Sequence, residues 1–391
     1  MFSKAYLAAV AVALLAATAG TAHAQQPIRI GFSAPITGPF AENGKQMLAA
    51  VKLFQERNPA VIAGRPVEVI VRDDGGVPDQ AKRIAQELVV NNKVVALLGY
   101  NPTPTALAVA PLATEAKIPQ VVMGSSTSII TERSPYIVRT FGTQPQITVP
   151  MAQWAAMNGL KRVVTLVSDY APGLETEKAF IEEFKARGGE IVASLRVPLQ
   201  NPDFAPFLQR ARDAKPEALF VWVPGGLAGP LLRQYVERGM NASGIRVIGT
   251  GDITDDDVLN QMGDPTLGIV TALQYSAAHP SAMNKEFVEG FKRVGNGLRP
   301  DHVGVSAYDG LHLIFAALTK TGGNTDGDAL IAAMKGMAWE SPRGPIMIDP
   351  DTRDIVQDIY IRRVERVDGE LYNIEFDKFP AVKDPWKQPK K

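Results

Sequence analysis

Two short hydroxyl-rich stretches carry the residue types best suited to binding chemistry. The first, Gly99-Tyr100-Asn101-Pro102-Thr103-Pro104-Thr105, follows the apolar run Val94 to Leu98; the second, Gly124-Ser125-Ser126-Thr127-Ser128, follows the run Gln120 to Met123. Each run has the length and bounds of a buried strand, and an Ala- and Leu-rich helical pattern lies between them over 106–116. In an open parallel sheet such loops lie side by side at the carboxyl edge, where small ligands bind. Pro102, placed at the first turn of the helix, leaves the following amides facing outward to meet an anion. Hydroxyls and amides of this kind hold a carboxylate or an amide; they do not cleave one. Ser and Thr also favour helix starts and turns, so capping is the competing role for Thr103, Thr105 and Ser125 to Thr127.

The residues that catalysis would need are missing from the sequence or wrongly spaced. There is no Cys, hence no thiolate nucleophile, disulfide or Cys-based metal site. His279, His302 and His312 lack metal-pair spacing, and His23 lies in the N-terminal apolar segment. Gly304-Val305-Ser306-Ala307-Tyr308 lacks the second Gly of a nucleophile elbow, and Gly249-Thr250-Gly251 lacks the third Gly of a dinucleotide fingerprint. Asp255-Asp256-Asp257 has neither the alternation nor the terminal Glu of a calcium loop and reads as a helix start. No metal, cofactor or enzymatic activity is expected. Trp222, inside an apolar strand, is expected to pack.

The elements that must position these loops alternate along the chain. Strand patterns at 28–33, 67–72, 94–98, 120–123 and 136–140 interleave with helical patterns at 43–57, 79–91 (with Asp79 as its cap) and 106–116. A second series begins near Gln144: helices at 145–158, 174–187, 204–213 and 227–238, strands at 162–167, 190–196, 218–223 and 245–250. Such alternation predicts parallel sheets covered by helices on both faces. The remainder holds a strand at 268–274, helices at 281–294, 303–318 and 328–334, a strand at 346–348, and a hairpin pattern, 359–366 and 371–376, about Asp368-Gly369. These pieces are too few for a third domain. They predict additions to two lobes, with crossings near 141–144, 274–278 and 341–345.

Lys4, the apolar segment from Ala5 to Ala19 and Ala22-His23-Ala24 fit a cleaved secretory signal over residues 1–24, too short in its apolar part to span a membrane. Removing it leaves roughly 365 residues, more than one core usually serves. Lys+Arg and Asp+Glu both number 41, and the basic residues are dispersed, so nucleic acid and anionic membrane are not expected partners. An exported chain without a lipid-attachment Cys predicts a periplasmic protein and a small solute.

Gly31 to Pro39 after the first strand, Asp73-Asp74 after the second, Gly99 with its Thr-rich loop, Val138-Arg139-Thr140 at the first crossing and Asp169-Tyr170 with Gly173 together resemble the leucine/isoleucine/valine-binding proteins, solute receptors of branched-chain amino-acid ABC importers. The resemblance covers essentially the whole chain after the signal. It implies an α/β fold of two Rossmann-like lobes joined by a three-segment hinge, the type I periplasmic binding protein fold, that close on a ligand. Lobe 1 would comprise 27–142 plus 276–343 and lobe 2 143–275 plus 344–391. The implied partners are a small solute and an ABC permease with its ATPases, and a monomer is expected.

The resemblance also implies a site. Thr103 would meet the α-carboxylate with Thr105 nearby; Ser125, Ser126 and Thr127 would contact carboxylate and ammonium; Tyr170 would lie in the loop that closes over the ligand, and Asp252 would meet the ammonium. Two departures change the expected solute: Asn43 stands where leucine-type receptors carry an aromatic residue, and Pro224-Gly225-Gly226 replaces a Tyr-containing segment. They point to an amide, a urea-like compound or a carboxylic acid in place of Leu, Ile or Val. A ligand-sensing regulator of the same fold and a secreted α/β hydrolase are the alternatives.

Overall fold

The computed structural model describes residues 26–387, so the expected signal segment lies outside the described residues. The chain builds two sheets. The first contains β1 (Ile28–Ala34), β2 (Val61–Ile62), β3 (Arg65–Asp73), β4 (Ala96–Gly99), β5 (Gln120–Val122) and β6 (Ile137–Arg139), in the order β2-β3-β1-β4-β5-β6. All its pairs are parallel except β2 with β3. The second contains β7 (Arg162–Ser168), β8 (Glu190–Val197), β9 (Ala218–Trp222), β10 (Arg246–Thr250), β11 (Val270–Leu273), β12 (Ala338–Ser341), β13 (Gly344–Ile348), β14 (Ile355–Val367) and β15 (Glu370–Val382). Its order is β12-β13-β14-β11-β10-β9-β7-β8, with β15 on β14. Strands β7 to β11 pair in parallel with one another, and the pairs that involve β12 to β15 are antiparallel.

The central strands are buried from end to end, as β4, β5 and β9 illustrate. Helices therefore cover both faces, and each sheet is flanked by two apolar cores. The late helices Ala282–Val294 and His302–Lys320 return to the first sheet, where Phe287, Phe291, Leu311 and Ile314 pack with Leu53 and Phe54 of helix Ala41–Arg57. In both sheets the first strand of the parallel unit, β1 or β7, has a later strand on either side. The crevice at the carboxyl end of such a strand, where successive connections leave in opposite directions, is where an open α/β sheet binds ligands. The two crevices here are the loops after β1 and β4 and the loops after β7 and β9.

Several expectations need correction. Val77, not Asp79, caps helix Pro78–Val90, and Asp79 sits in its first turn. The Thr103–Ala116 helix has Pro102 at its cap position, outside the first turn. Strand β12 was not anticipated: residues assigned to lobe 1 hydrogen-bond into the second sheet through β13, so the chain has crossed before 341–345. The hairpin is longer at both ends than its alternating pattern suggested.

Candidate ligand-binding site

Between the two crevices lies a cavity of about 610 Å³. The first sheet contributes Pro39 and Phe40 from the loop after β1, Asn43, Asn101 to Thr103 after β4, and Gly124 and Ser126 after β5. The second contributes Tyr170 and Pro172 after β7, 199–201 after β8, Trp222 and Pro224 at the end of β9, and Asp252, Asp255 and Asp257 after β10. Phe141 and Gln144, on the segment between the sheets, also line it, with Glu42 beside Asn43, Leu227 and Val258 on the second lobe, and His302 with Val303.

Local chemistry explains how the loops reach it. Gly99 has φ +109°, and a Cβ there would lie 2.1 Å from the Ser33 carbonyl oxygen, so only Gly lets β4 pass β1 at the crevice. Asp73 accepts from the Ile36 and Thr37 amides and from Thr37 Oγ1 at 2.7 Å, while Asp74 accepts from Ser33 Oγ at 2.6 Å. The acidic pair thus shapes the loop that carries Phe40. On the other side Arg139, fully buried, donates to the carbonyls of Ser125, Thr127 and Ser128 and pairs with Asp354 at 2.5 Å. One guanidinium therefore pins the whole second hydroxyl loop.

The residues singled out from the sequence divide into two groups. Asn43, Thr103, Ser126, Tyr170 and Asp252 line the cavity. Asn43 donates to Asn101 Oδ1 at 3.1 Å, and Ser126 Oγ accepts from Gln144 Nε2 at 2.9 Å. Thr105, Ser125 and Thr127 are buried but do not line it. Thr105 lies in the first turn of its helix, where Pro102 is the cap, and its hydroxyl donates back to the Pro102 carbonyl at 2.7 Å. Ser125 Oγ donates to the Tyr100 carbonyl at 2.9 Å. Thr127 Oγ1 lies 3.0 Å from Thr103 Oγ1 and holds that hydroxyl in place.

The missing aromatic walls are replaced from neighbouring positions. Phe40 stands one helical turn before Asn43, and Trp222 ends the strand before Pro224; Tyr170 and Trp222 meet with centroids 5.5 Å apart, and Phe141 lies 5.3 Å from the His302 ring. Trp222 packs as expected, at 3% exposure, yet it also lines the cavity and its Nε1 has no hydrogen-bond partner. Nothing in an apolar strand announces that second role; it follows from the strand's carboxyl end lying at the crevice.

The acidic run is not merely a helix start. Asp256 is buried, accepts from Asn373 Nδ2 at 3.0 Å and lies 3.5 Å from Arg362, while Asp255 lies 2.9 Å from His302 Nδ1 across the cleft. Burial opposes charge on His302, but Asp255, Asp301 and Asp252 outweigh it and push the imidazole up to about 10. Burial likewise raises Asp252, and burial with the neighbouring Asp255 pushes Asp257 up to about 7. Asp255, Asp301 and His302 each offer an atom within 4.8 Å of the others. That trio is committed otherwise: Asp301 Oδ1 accepts from the Val303 and Gly304 amides at 2.8 Å, and a histidine held charged is a poor ligand. No Lys or Arg lines the cavity.

Two α/β lobes whose ligand crevices face each other across a polar and aromatic cavity define a solute-binding receptor. The chain belongs to the periplasmic binding protein family, whose model matches residues 27–370. It shares 60% identity and a TM-score of 0.90 with an ABC-transporter solute-binding protein from Rhodopseudomonas palustris BisB5 solved with 3,4-dihydroxybenzoic acid, over 93% of this chain and 99% of that one. A second such protein, from Rhodopseudomonas palustris HaA2 with p-hydroxybenzoic acid, is 40% identical with a TM-score of 0.88, over 92% and 99%. The Leu/Ile/Val-binding protein homolog 6 of Brucella abortus (strain 2308) is 39% identical over 98% of both chains. The fold is the type I periplasmic binding protein fold, and the function is that of a solute-binding receptor for an ABC importer. The family consists of substrate-binding proteins, not enzymes.

Proposed function

We propose that this receptor takes a monocyclic aromatic carboxylic acid in the interlobe cavity and delivers it to a membrane permease with its ATPases. The observation that carries the reading is the wall itself: Phe40, Phe141, Tyr170 and Trp222 surround a cavity of about 610 Å³. A benzene ring fits such a wall by stacking and edge contact, whereas a branched alkyl chain does not need it. The carboxylate is held at the lobe 1 end, by the Thr103 hydroxyl and the start of the Thr103–Ala116 helix with Ser126 nearby, because three of the four lining carboxylates, Asp252, Asp255 and Asp257, lie on lobe 2 and the fourth, Glu42, pairs with Lys45 at 2.8 Å. The 60% identical relative solved with a benzoic acid supports the same class.

The two lobes, one built on each sheet and with 338–341 on the second, close as bodies about the strand connections. Ligand bound on lobe 1 gains contacts from lobe 2 only on closure, so closure is favoured by that difference. A full reversal of a scarce closed form takes about 5 kcal/mol of differential affinity. Residues 1–24 act as the export signal to the periplasm, and the receptor works as a monomer. Among the described residues no helix is long and apolar enough to cross a membrane.

Thermal-shift titration of the mature protein with benzoic acids and with leucine tests the solute class. A ligand at 100 times its Kd adds about 2.7 kcal/mol of native stability, a clear rise in Tm. The expected result is a rise with benzoic acids and none with leucine. The reverse pattern restores the amino-acid receptor with Asp252 as ammonium partner.

A further inference from the structure

The cavity holds acceptors that a plain benzoate leaves unused. Asp257 lines it from lobe 2, and among the described residues no hydrogen bond or ion pair from the protein reaches its carboxylate. Asp252 lines the same end, with one oxygen accepting from Thr250 Oγ1 at 2.7 Å. Among the described residues the one cation of the lining, His302, lies 2.9 Å from Asp255. Trp222, buried and on the same lobe, leaves its Nε1–H without an acceptor. That donor is sealed from the cavity, so this end offers surplus carboxylate oxygens, a pattern that repels a second anion and matches a neutral group able to donate. A ring hydroxyl is such a group: its proton is retained near neutral pH, as the tyrosine reference value of about 10 indicates, and its oxygen still accepts.

We propose that Asp257 is a specificity-determining residue that accepts a hydrogen bond from a ring hydroxyl, so that the solutes are hydroxylated aromatic acids and not unsubstituted ones. This rests on the aromatic-acid reading and deepens it. The carboxylate at the lobe 1 end and the hydroxyl at the lobe 2 end place the ring across the cleft. The hydroxyl then supplies the contact that lobe 2 makes only when the cleft is closed. Because no hydrogen bond or ion pair among the described residues reaches Asp257, its replacement breaks no such contact inside the fold.

Isothermal titration of wild type, Asp257→Ala and Asp257→Asn with benzoate, 4-hydroxybenzoate, 3,4-dihydroxybenzoate and 4-methoxybenzoate tests this. The methoxy acid keeps the acceptor and lacks the donor. At pH 8, above the value of about 7 to which burial and Asp255 raise Asp257, wild type is expected to bind the hydroxylated acids about tenfold or more tighter than benzoate and 4-methoxybenzoate, the range for a hydrogen bond to a charged group. Asp257→Ala brings the hydroxylated acids down to the benzoate level and leaves benzoate affinity unchanged or raised, which also reports an intact fold. Equal affinity for benzoate and 4-hydroxybenzoate in wild type, or an equal loss for every acid in either variant, overturns the assignment while leaving the aromatic-acid reading standing. Leucine binding with no aromatic acid bound overturns both.

Discussion

A hydroxyl that meets a ligand and one that bonds back at its own helix start look alike in sequence; what separates them is where each hydrogen bond goes. Thr103 and Thr105 are two positions apart, yet Thr103 faces the cavity and Thr105 closes the Pro102 carbonyl. The two should respond oppositely to loss of the hydroxyl. Thr103→Val keeps the branched shape and removes a donor to the ligand carboxylate, so affinity for an aromatic acid falls about tenfold while the melting temperature changes little. Thr105→Val loses a local bond at the helix start, which lowers stability by about 1 kcal/mol and leaves affinity unchanged. Calorimetric titration and thermal melts on both variants check the pair; equal loss of affinity in both would remove Thr103 from the site. Asp252 is the harder residue to read, because burial raises its carboxyl and Thr250 already occupies one oxygen, so charge alone does not make it an ammonium partner.

At the scale of elements, strand and helix identity was legible wherever a strand is buried on both faces or a helix presents one apolar stripe. The runs that became β4, β5, β7 and β9 are short, apolar and bounded by loop residues, and the parallel α/β class follows from their alternation with helices. The antiparallel edge strands β2 and β12 escaped notice, unlike the parallel edges β6 and β8: β12 is mostly exposed and lacks an apolar face, and its pairing depends on β13, which the sequence cannot show. The hydroxyl loops were legible too, because strand ends in an open sheet carry ligands, but the residue that fixes one of them was not. Arg139 reads as a crossing residue; only the fold brings Asp354 and the Ser125, Thr127 and Ser128 carbonyls around its guanidinium. Replacing it by Met leaves those carbonyls and Asp354 buried, with Lys387 still 2.7 Å from the carboxylate. The expected cost is about 3 kcal/mol, the lower end for breaking a buried pair. It should appear as a lower Tm together with weakened solute binding, because the loop that backs Thr103 loses its anchor. A variant with unchanged affinity would show that the loop holds its shape through Thr127 and Ser126 alone.

Over the whole molecule, the decisive contacts are those that tie one lobe to the other. Asp255 of the second lobe meets His302 at the start of a helix packed on the first, at 2.9 Å, and Arg299 pairs with Glu370 and donates to the Leu371 carbonyl at 2.7 Å. Ser128 donates its amide to Glu175 at 3.0 Å. Each of these separates if the cleft opens, so each biases the resting population toward closure. The Asp255 and His302 pair is the one beside the ligand cavity. Its loss in His302→Gln leaves Asp255 without its cation, and the lobes can relieve that by parting, so the penalty appears as an open resting form instead of as unfolding. Small-angle scattering should therefore give a larger radius of gyration for ligand-free His302→Gln than for wild type, with saturating ligand restoring the compact value. The pH dependence has a definite sign. Asp255 and Asp252 of the second lobe, with Asp301 of the first, raise the imidazole to about 10, so the stabilisation that the second-lobe carboxylates give the closed form is present at neutral pH and is lost as pH rises through about 10. Ligand-free wild type should stay compact across neutral pH and expand toward pH 10.5, while His302→Gln, with no imidazole to titrate, should show no such step. A wild-type radius that matches the variant at pH 8 would mean that this pair does not hold the cleft, and that closure rests on the solute and the remaining contacts between the lobes.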